Sequence, residues 1–334
     1  MENAKIKLDT MAALSSACNK NDTMFGTYYS NVDWYHPDWE PYRYDGPGPL
    51  IAKQKDSPNL DRYFKFMENQ VKELISKYDV DLIQFDGEWD ATYTHEVGSK
   101  LYREFHTVKP DIPLSSRIDI GRKAEGKTNH MKMDGLKYAG DHQERERAVN
   151  HGNNVTGWMN HPWQAWVTID KTQWAYNHDP VLMSADELIM NMVGVVGNNG
   201  NYMINLGPRP DGSFEPEQVV LMDELGKWLN IHAQAIYGIR GGPFYPFKEG
   251  VSTRKGRKAW LFITDKTVKY IALDNPLQKL IGARVFNGEQ DVVFSVKGTK
   301  LQFDLSNVDY PGPVTVIELE FDKEVQMGNR PKFK

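Results

Sequence analysis

A strand-ending carboxylate and a set of flat aromatic side chains are the parts of this sequence best suited to act together in chemistry. Asp86 closes the apolar run Leu82-Ile83-Gln84-Phe85 and is followed by Gly87 and Trp89. A carboxylate at the C-terminal end of a buried strand, where strand meets loop, is placed to meet a substrate. An Asp there can also simply cap a turn, and the aromatics tip the balance. Tyr28, Tyr29, Trp34, Trp39, Trp89, Trp158, Trp163 and Trp166 gather at predicted strand ends and loops. Sugars present C–H faces between their hydroxyls, so flat rings beside carboxylates make a sugar cleft. Trp163 and Trp166 fit a place in the core equally well.

Cleaving a glycosidic bond takes a second carboxylate, because one group attacks or guides water at the anomeric carbon while the other protonates the leaving oxygen. Asp141, Glu144 and Glu146 offer three choices within one stretch, interleaved with Arg145 and Arg147. The same stretch also reads as a solvated charged segment whose ion pairs contribute little. Arg117, at the end of a predicted strand over residues 114–118, is suited to hold sugar hydroxyls or to fix a carboxylate's protonation state. His36, His142, His161 and His178 lack the close spacing of a metal motif, so no metal is expected. The glycines of residues 197–200 and 207–212 match neither a phosphate cradle nor a dinucleotide fingerprint, so they read as turns and no cofactor is expected.

The composition is that of an ordinary globular chain. The 334 residues are 40% hydrophobic and 25% charged, with a net charge of -5, which disfavours nucleic acid and anionic membranes as partners. Charges within the first ten residues leave no apolar core for a signal peptide, so no export signal is expected in the chain as given. A single cysteine, Cys18, excludes an internal disulfide and a multi-cysteine zinc site. Of the nine tryptophans only Trp260 lies beyond residue 240, which marks a change of domain.

The elements that must position these residues alternate helix and strand over the first two-thirds, the pattern of a parallel sheet covered by helices. Residues 61–78 show the helical period through Tyr63, Phe66, Met67, Val71, Leu74, Ile75 and Tyr78. Ser184-Ala185-Asp186-Glu187 is a capping box that predicts a helix over 185–196, and Pro216 opens another reaching about residue 235. Strands are predicted over 25–29, 82–85, 114–118, 163–169 and 202–206, with a sixth near 138–142. A closed barrel of this type needs eight. The expectation is therefore a (β/α)8 TIM-type barrel over residues 1–237 that lacks its first strands. The missing strands would come from a separate piece of chain, or a second copy in a homo-oligomer would complete the sheet. Residues 238–327 lose the helical period and predict a small antiparallel β-sandwich, followed by a tail over 328–334.

The blocks Phe25-Gly26-Thr27-Tyr28-Tyr29-Ser30 with Asp33-Trp34, Asp81 through Gly87, Trp174-Ala175-Tyr176-Asn177, and Asn199 through Pro208 with Pro210-Asp211-Gly212 resemble glycoside hydrolase family 29, the α-L-fucosidases. The likeness covers residues 20–245. It implies an exo-acting retaining hydrolase that releases a terminal α-L-fucose, or the related α-L-galactose, from an oligosaccharide or glycoconjugate. Asp86 falls on the family nucleophile, Glu146 on its acid/base with Glu144 as the second choice, and Arg117 on an arginine that contacts the sugar. Tyr29, Trp34, Trp89 and Trp163 would line the sugar pocket. In that scheme the two carboxyl groups lie roughly 5–5.5 Å apart. The family is usually secreted, periplasmic or lysosomal. Gln84 stands where an aromatic is common and Gln164 where a Glu is common, and the family's upstream Trp and His-His pair are expected to be missing. The alternative is a shortened relative that binds carbohydrate without cleaving it.

Overall fold

A computed structural model describes residues 8–33, 36–39, 58–90, 92–120, 138–146, 162–288, 290–310 and 312–328. Trp34, Trp158 and His161 lie outside them, as do residues 329–334 of the predicted tail. The chain divides into two compact units, Met1–Glu144 and Arg145–Lys334.

In the first unit, α1 (Thr10–Lys20) precedes β1 (Gly26–Ser30), α2 (Leu60–Tyr78), β2 (Leu82–Asp86) and α3 (His95–Val108). The predicted helix over 61–78 is α2, capped by the Asn59 side chain accepting from the Arg62 backbone N–H. Helices α1 and α3 were not anticipated. Asp9 caps the first by accepting from the Ala12 N–H, and Thr94 caps the second by accepting from Val97. Strands β1 and β2 pair in parallel with Tyr28 opposite Gln84 and Ser30 opposite Asp86. Parallel bridges then join Ile83 to Leu114 and Ser115 to His142. Ile83 and Phe85 are fully buried with Met67, Val71, Leu101 and Phe105. Because side chains alternate along a strand, Gln84 and Asp86 point to the opposite face.

Two sequence expectations need correction here. The predicted strand over 114–118 pairs only at Leu114 and Ser115, and Ser116–Ile118 then forms a 3-10 turn. Local bonds replace the ladder: Ile118 N–H donates to Ser115 O at 3.0 Å and Asp119 N–H to Ser116 O at 3.2 Å. The sixth strand starts pairing only at His142 and continues as β3 (Gln143–Glu146). Gly140, at φ +130°, holds the preceding backbone so close to Ser116 that a Cβ there would lie 2.4 Å from the Ser116 Cα.

In the second unit β4 (Trp163–Thr168) runs parallel to β5 (Asn201–Asn205), in a sheet ordered β3-β4-β5. Between them lies the helix Ala185–Gly197, which starts with the predicted capping box. The helix Pro216–Ile236 follows. Among the described residues no closed barrel is present; the expectation was a (β/α)8 barrel lacking its first strands.

From Arg240 the chain is antiparallel, as the loss of helical period predicts. Strands β6 (Arg240–Gly241), β7 (Gly250–Lys255), β8 (Lys258–Ile263), β10 (Leu280–Val285) and β13 (Thr315–Phe321) form one sheet, ordered β10-β13-β8-β7-β6. Strands β9 (Tyr270–Asp274), β11 (Val293–Lys297) and β12 (Lys300–Asp304) form the other, ordered β11-β12-β9. Leu261, Ile271, Leu301, Phe303, Ile317 and Leu319 build their shared core. Phe303 is fully buried, so Phe303→Ala should destabilise the sandwich by about 3–5 kcal/mol, read as a lower urea midpoint for this region's unfolding.

Candidate active site

Strand β2 delivers Asp86 to the mouth of a cavity of about 550 Å³, also lined by Tyr29, Asp33, Tyr63, Phe66 and Trp89. Four donors converge on its carboxylate. Oδ1 accepts from the Arg117 Nη2, from the Gly87 N–H at 2.7 Å and from the Trp89 Nε1 at 3.3 Å. Oδ2 accepts from the Tyr28 hydroxyl at 2.6 Å. Gly87 takes φ +101°, a region open to glycine, and this turn brings its N–H back to the preceding side chain. Asp86 therefore has both oxygens aimed and its side chain only partly covered, with 29% of it exposed.

Arg117 sits on the 3-10 turn beyond the third strand position, 5% exposed. The Asn31 side chain, donating to the Arg117 carbonyl at 2.8 Å, ties this turn to the loop after β1. Besides Asp86, the guanidinium meets a second carboxylate: its Nε donates to Glu88 Oε2 at 2.9 Å. Glu88 is fully buried. Two residues below Asp86 on the same strand face, the Gln84 amide donates to Glu144. His142 Nε2 lies 3.5 Å from the other Glu144 oxygen.

The structure thus brings Asp86, Arg117 and Trp89 together, as the sequence suggests. Tyr29 lines the same cavity, but its hydroxyl donates to Gln70 of α2 at 2.7 Å, and its ring meets Phe85 edge-on with centroids 6.3 Å apart. Burial, with the Asp33 charge adding to it, pushes that hydroxyl's pKa well up. Tyr28 makes the contact to Asp86 instead, since it shares a sheet face with Gln84. Counting back in twos from the Asp86 register would have identified it. Trp163 is 1% exposed in the second unit's core, with Nε1 donating to the Asn198 carbonyl at 2.8 Å. Its ring lies so close to Gly200 that a Cβ there would come within 2.5 Å. Trp39 is likewise buried, packed against Tyr63.

Of the candidates for a second carboxylate, Glu144 and Glu146 lie on β3, where Gln143 and Glu144 are buried while Arg145 and Glu146 are partly covered. Burial lowers the Arg145 pKa, so this stretch is not the freely solvated charged segment that its composition also allowed. Alternation puts Glu144 and Glu146 on one face of β3 and Arg145 on the other. Glu88 had no signal in the sequence beyond the Asp-Gly-Glu spacing. Among the described residues no group of three or more His, Cys, Asp or Glu side chains could hold a metal ion, and no helix is long and apolar enough to cross a membrane.

Comparison with known proteins extends this picture to the chain as a whole. A family profile described as Alpha-L-fucosidase matches residues 1–234. Tissue alpha-L-fucosidase of Macaca fascicularis is 26% identical over 235 residues, covering 69% of this chain and 44% of that protein. Alpha-L-fucosidase of Branchiostoma floridae is 26% identical over 265 residues, covering 77% and 51% respectively. The chain therefore spans about half the length of these curated relatives. A crystal structure of a GH29 alpha-L-fucosidase from Bacteroides thetaiotaomicron, trapped as a covalent intermediate with 2-fluoro-fucosyl fluoride, superposes with a TM-score of 0.77 at 26% identity. That superposition covers 96% of this chain and 72% of that one. With the profile spanning more than two-thirds of its length, the chain belongs to the α-L-fucosidase family, glycoside hydrolase family 29.

Proposed function

We propose that the chain is an exo-acting retaining glycoside hydrolase that releases terminal α-L-fucose, or the closely related α-L-galactose, from glycans. The carrying observation is the convergence of Arg117, Gly87, Trp89 and Tyr28 on Asp86, a carboxylate at a strand end that opens into a cavity of ligand size. In this reading an Asp86 oxygen attacks the anomeric carbon while Glu146 protonates the departing glycosidic oxygen, leaving a glycosyl ester on Asp86. Glu146 then takes a proton from water, the water oxygen bonds to the anomeric carbon, and Asp86 leaves as carboxylate. Net configuration at that carbon is retained. The Bacteroides relative supports the scheme, since its covalent intermediate was trapped with a glutamate-to-glutamine variant. Donor contacts from Arg117 and Tyr28 hold the Asp86 oxygens in the line of attack. The exposed ring of Trp89 offers a face for the sugar's C–H groups.

Incubation with 4-nitrophenyl α-L-fucoside and α-L-galactoside, following the first-formed sugar anomer by proton NMR, tests the reading. Release of the α anomer first supports it. A β anomer first would overturn the retaining mechanism, and binding without turnover of either glycoside would leave a carbohydrate-binding protein. Tyr28→Phe removes one hydrogen bond to a charged group, so kcat/KM should fall about 10- to 100-fold with KM little changed. Steady-state kinetics on the aryl fucoside checks this.

A further inference from the structure

We infer that Glu88 is a positioning residue of the same site, a permanent counter-ion that keeps Arg117 aimed at Asp86 through both halves of the reaction. The inference rests on the reading of Asp86 as nucleophile. It starts from a buried charge: Glu88 has no exposed surface, and a carboxylate removed from water must be compensated. Arg117, itself 5% exposed, supplies the compensation through its Nε, 2.9 Å from Glu88 Oε2. The adjacent Nη2 of the same planar group donates to Asp86. A guanidinium presents its N–H groups in a rigid fork, so anchoring Nε at Glu88 fixes the direction in which Nη2 points. Tyr93 packs nearby as a neutral phenol, because burial and the charges of Asp119 and Glu88 push its pKa well up. Its hydroxyl donates to the Ile118 carbonyl at 2.8 Å, bracing the 3-10 turn that carries Arg117.

The chemical consequence follows from counting charge. Before the reaction the guanidinium faces two carboxylates, Asp86 and Glu88. When an Asp86 oxygen bonds to the anomeric carbon and the glycosidic bond breaks, that carboxylate becomes a neutral ester. Arg117 keeps its buried charge but then faces one carboxylate fewer, and Glu88 remains beside it, 2.9 Å from its Nε. Glu88 therefore stabilises the glycosyl-enzyme relative to the free enzyme. In the second half, water attacks the anomeric carbon and the Asp86–sugar bond breaks. Arg117, still held, receives the returning carboxylate.

Glu88→Gln keeps the size and an acceptor for the Arg117 Nε but removes the charge. Formation of the covalent intermediate, measured as the rate of inactivation by 2-fluoro-fucosyl fluoride with mass-spectrometric detection of the label on Asp86, should slow about 10- to 100-fold. Its breakdown, measured as recovery of activity after removal of reagent, should not slow, and KM for the aryl fucoside should change little. Glu88→Asp, which keeps the charge, should recover part of the lost inactivation rate. A folded Glu88→Gln enzyme with unchanged inactivation and turnover overturns the inference. Equal slowing of both half-reactions overturns it too, because a structural defect would act in that way. Should the wild-type chain neither turn over nor be labelled, the activity reading fails by itself. The positioning claim is then decided by NMR of the ¹⁵N-labelled arginine side chains. A slowly exchanging Arg117 Nε–H in wild type that exchanges about tenfold faster in Glu88→Gln sustains it, and equal exchange in the two proteins ends it.

Discussion

Asp86→Ala is expected to retain less than roughly one ten-thousandth of the wild-type kcat/KM on an aryl α-L-fucoside, the scale of loss when a covalent nucleophile is removed. The fold should survive, because Arg117 keeps the Glu88 carboxylate at its Nε and is not left as an isolated buried cation. Circular dichroism and an unchanged thermal midpoint, to within a few degrees, would show this. The space left by the missing carboxylate is open to a small external nucleophile, since the Asp86 side chain is partly exposed and lines the cavity. Azide should therefore restore part of the turnover and yield a fucosyl azide of inverted configuration, identified by its NMR coupling constants. Turnover by Asp86→Ala without azide, at more than about one hundredth of wild type, would remove Asp86 from the nucleophile's role.

Glu146→Ala should lower kcat/KM by about 10²- to 10⁴-fold on a fucoside with a poor leaving group, in keeping with the size of general acid catalysis. With an activated leaving group such as 2,4-dinitrophenol, little proton donation is needed and the first step should be nearly normal. Azide should accelerate that substrate's turnover and give a fucosyl azide of retained configuration, because the nucleophile is intact. Glu144→Ala provides the contrast. Glu144 is 3% exposed and accepts from the Gln84 amide. Removing it takes a buried acceptor away from the Gln84 amide, which costs about 1–3 kcal/mol. Its signature should be a lower unfolding midpoint without azide rescue. If the two variants exchange these behaviours, the acid/base is Glu144.

Burial differs between alternate positions on β2 and β3. Each strand presents alternate side chains to one face, Gln84 then Asp86 on β2 and Glu144 then Glu146 on β3. Gln84 and Glu144 are both buried and hydrogen-bonded to each other, while Asp86 and Glu146 are the more exposed member on each strand. Burial and the hydrogen bond from Gln84 give the carboxylate of Glu144 a structural partner.

Local signals in the sequence were enough to place the helices at α2, Ala185–Gly197 and Pro216–Ile236, the strand that ends at Asp86, and the change to antiparallel strands near residue 240. Helical period, the Ser184 capping box and strand-ending Asp-Gly each act within a few residues, so they survive without knowledge of the rest of the chain. Helix α1 offers little apolar patterning beyond its Asp9 cap, whereas α3 carries a readable stripe at Val97, Leu101, Phe105 and Val108 behind its Thr94 cap. The surroundings of Asp86 depended on the tertiary structure. Arg117 reaches it across 31 residues, Tyr28 across 58, and Gln84 finds Glu144 across 60. Those partners are selected by strand register and by the 3-10 turn at Ser116–Ile118. A shift of one residue in the strand register would turn each strand side chain to the opposite face, and no spacing along the sequence encodes that choice.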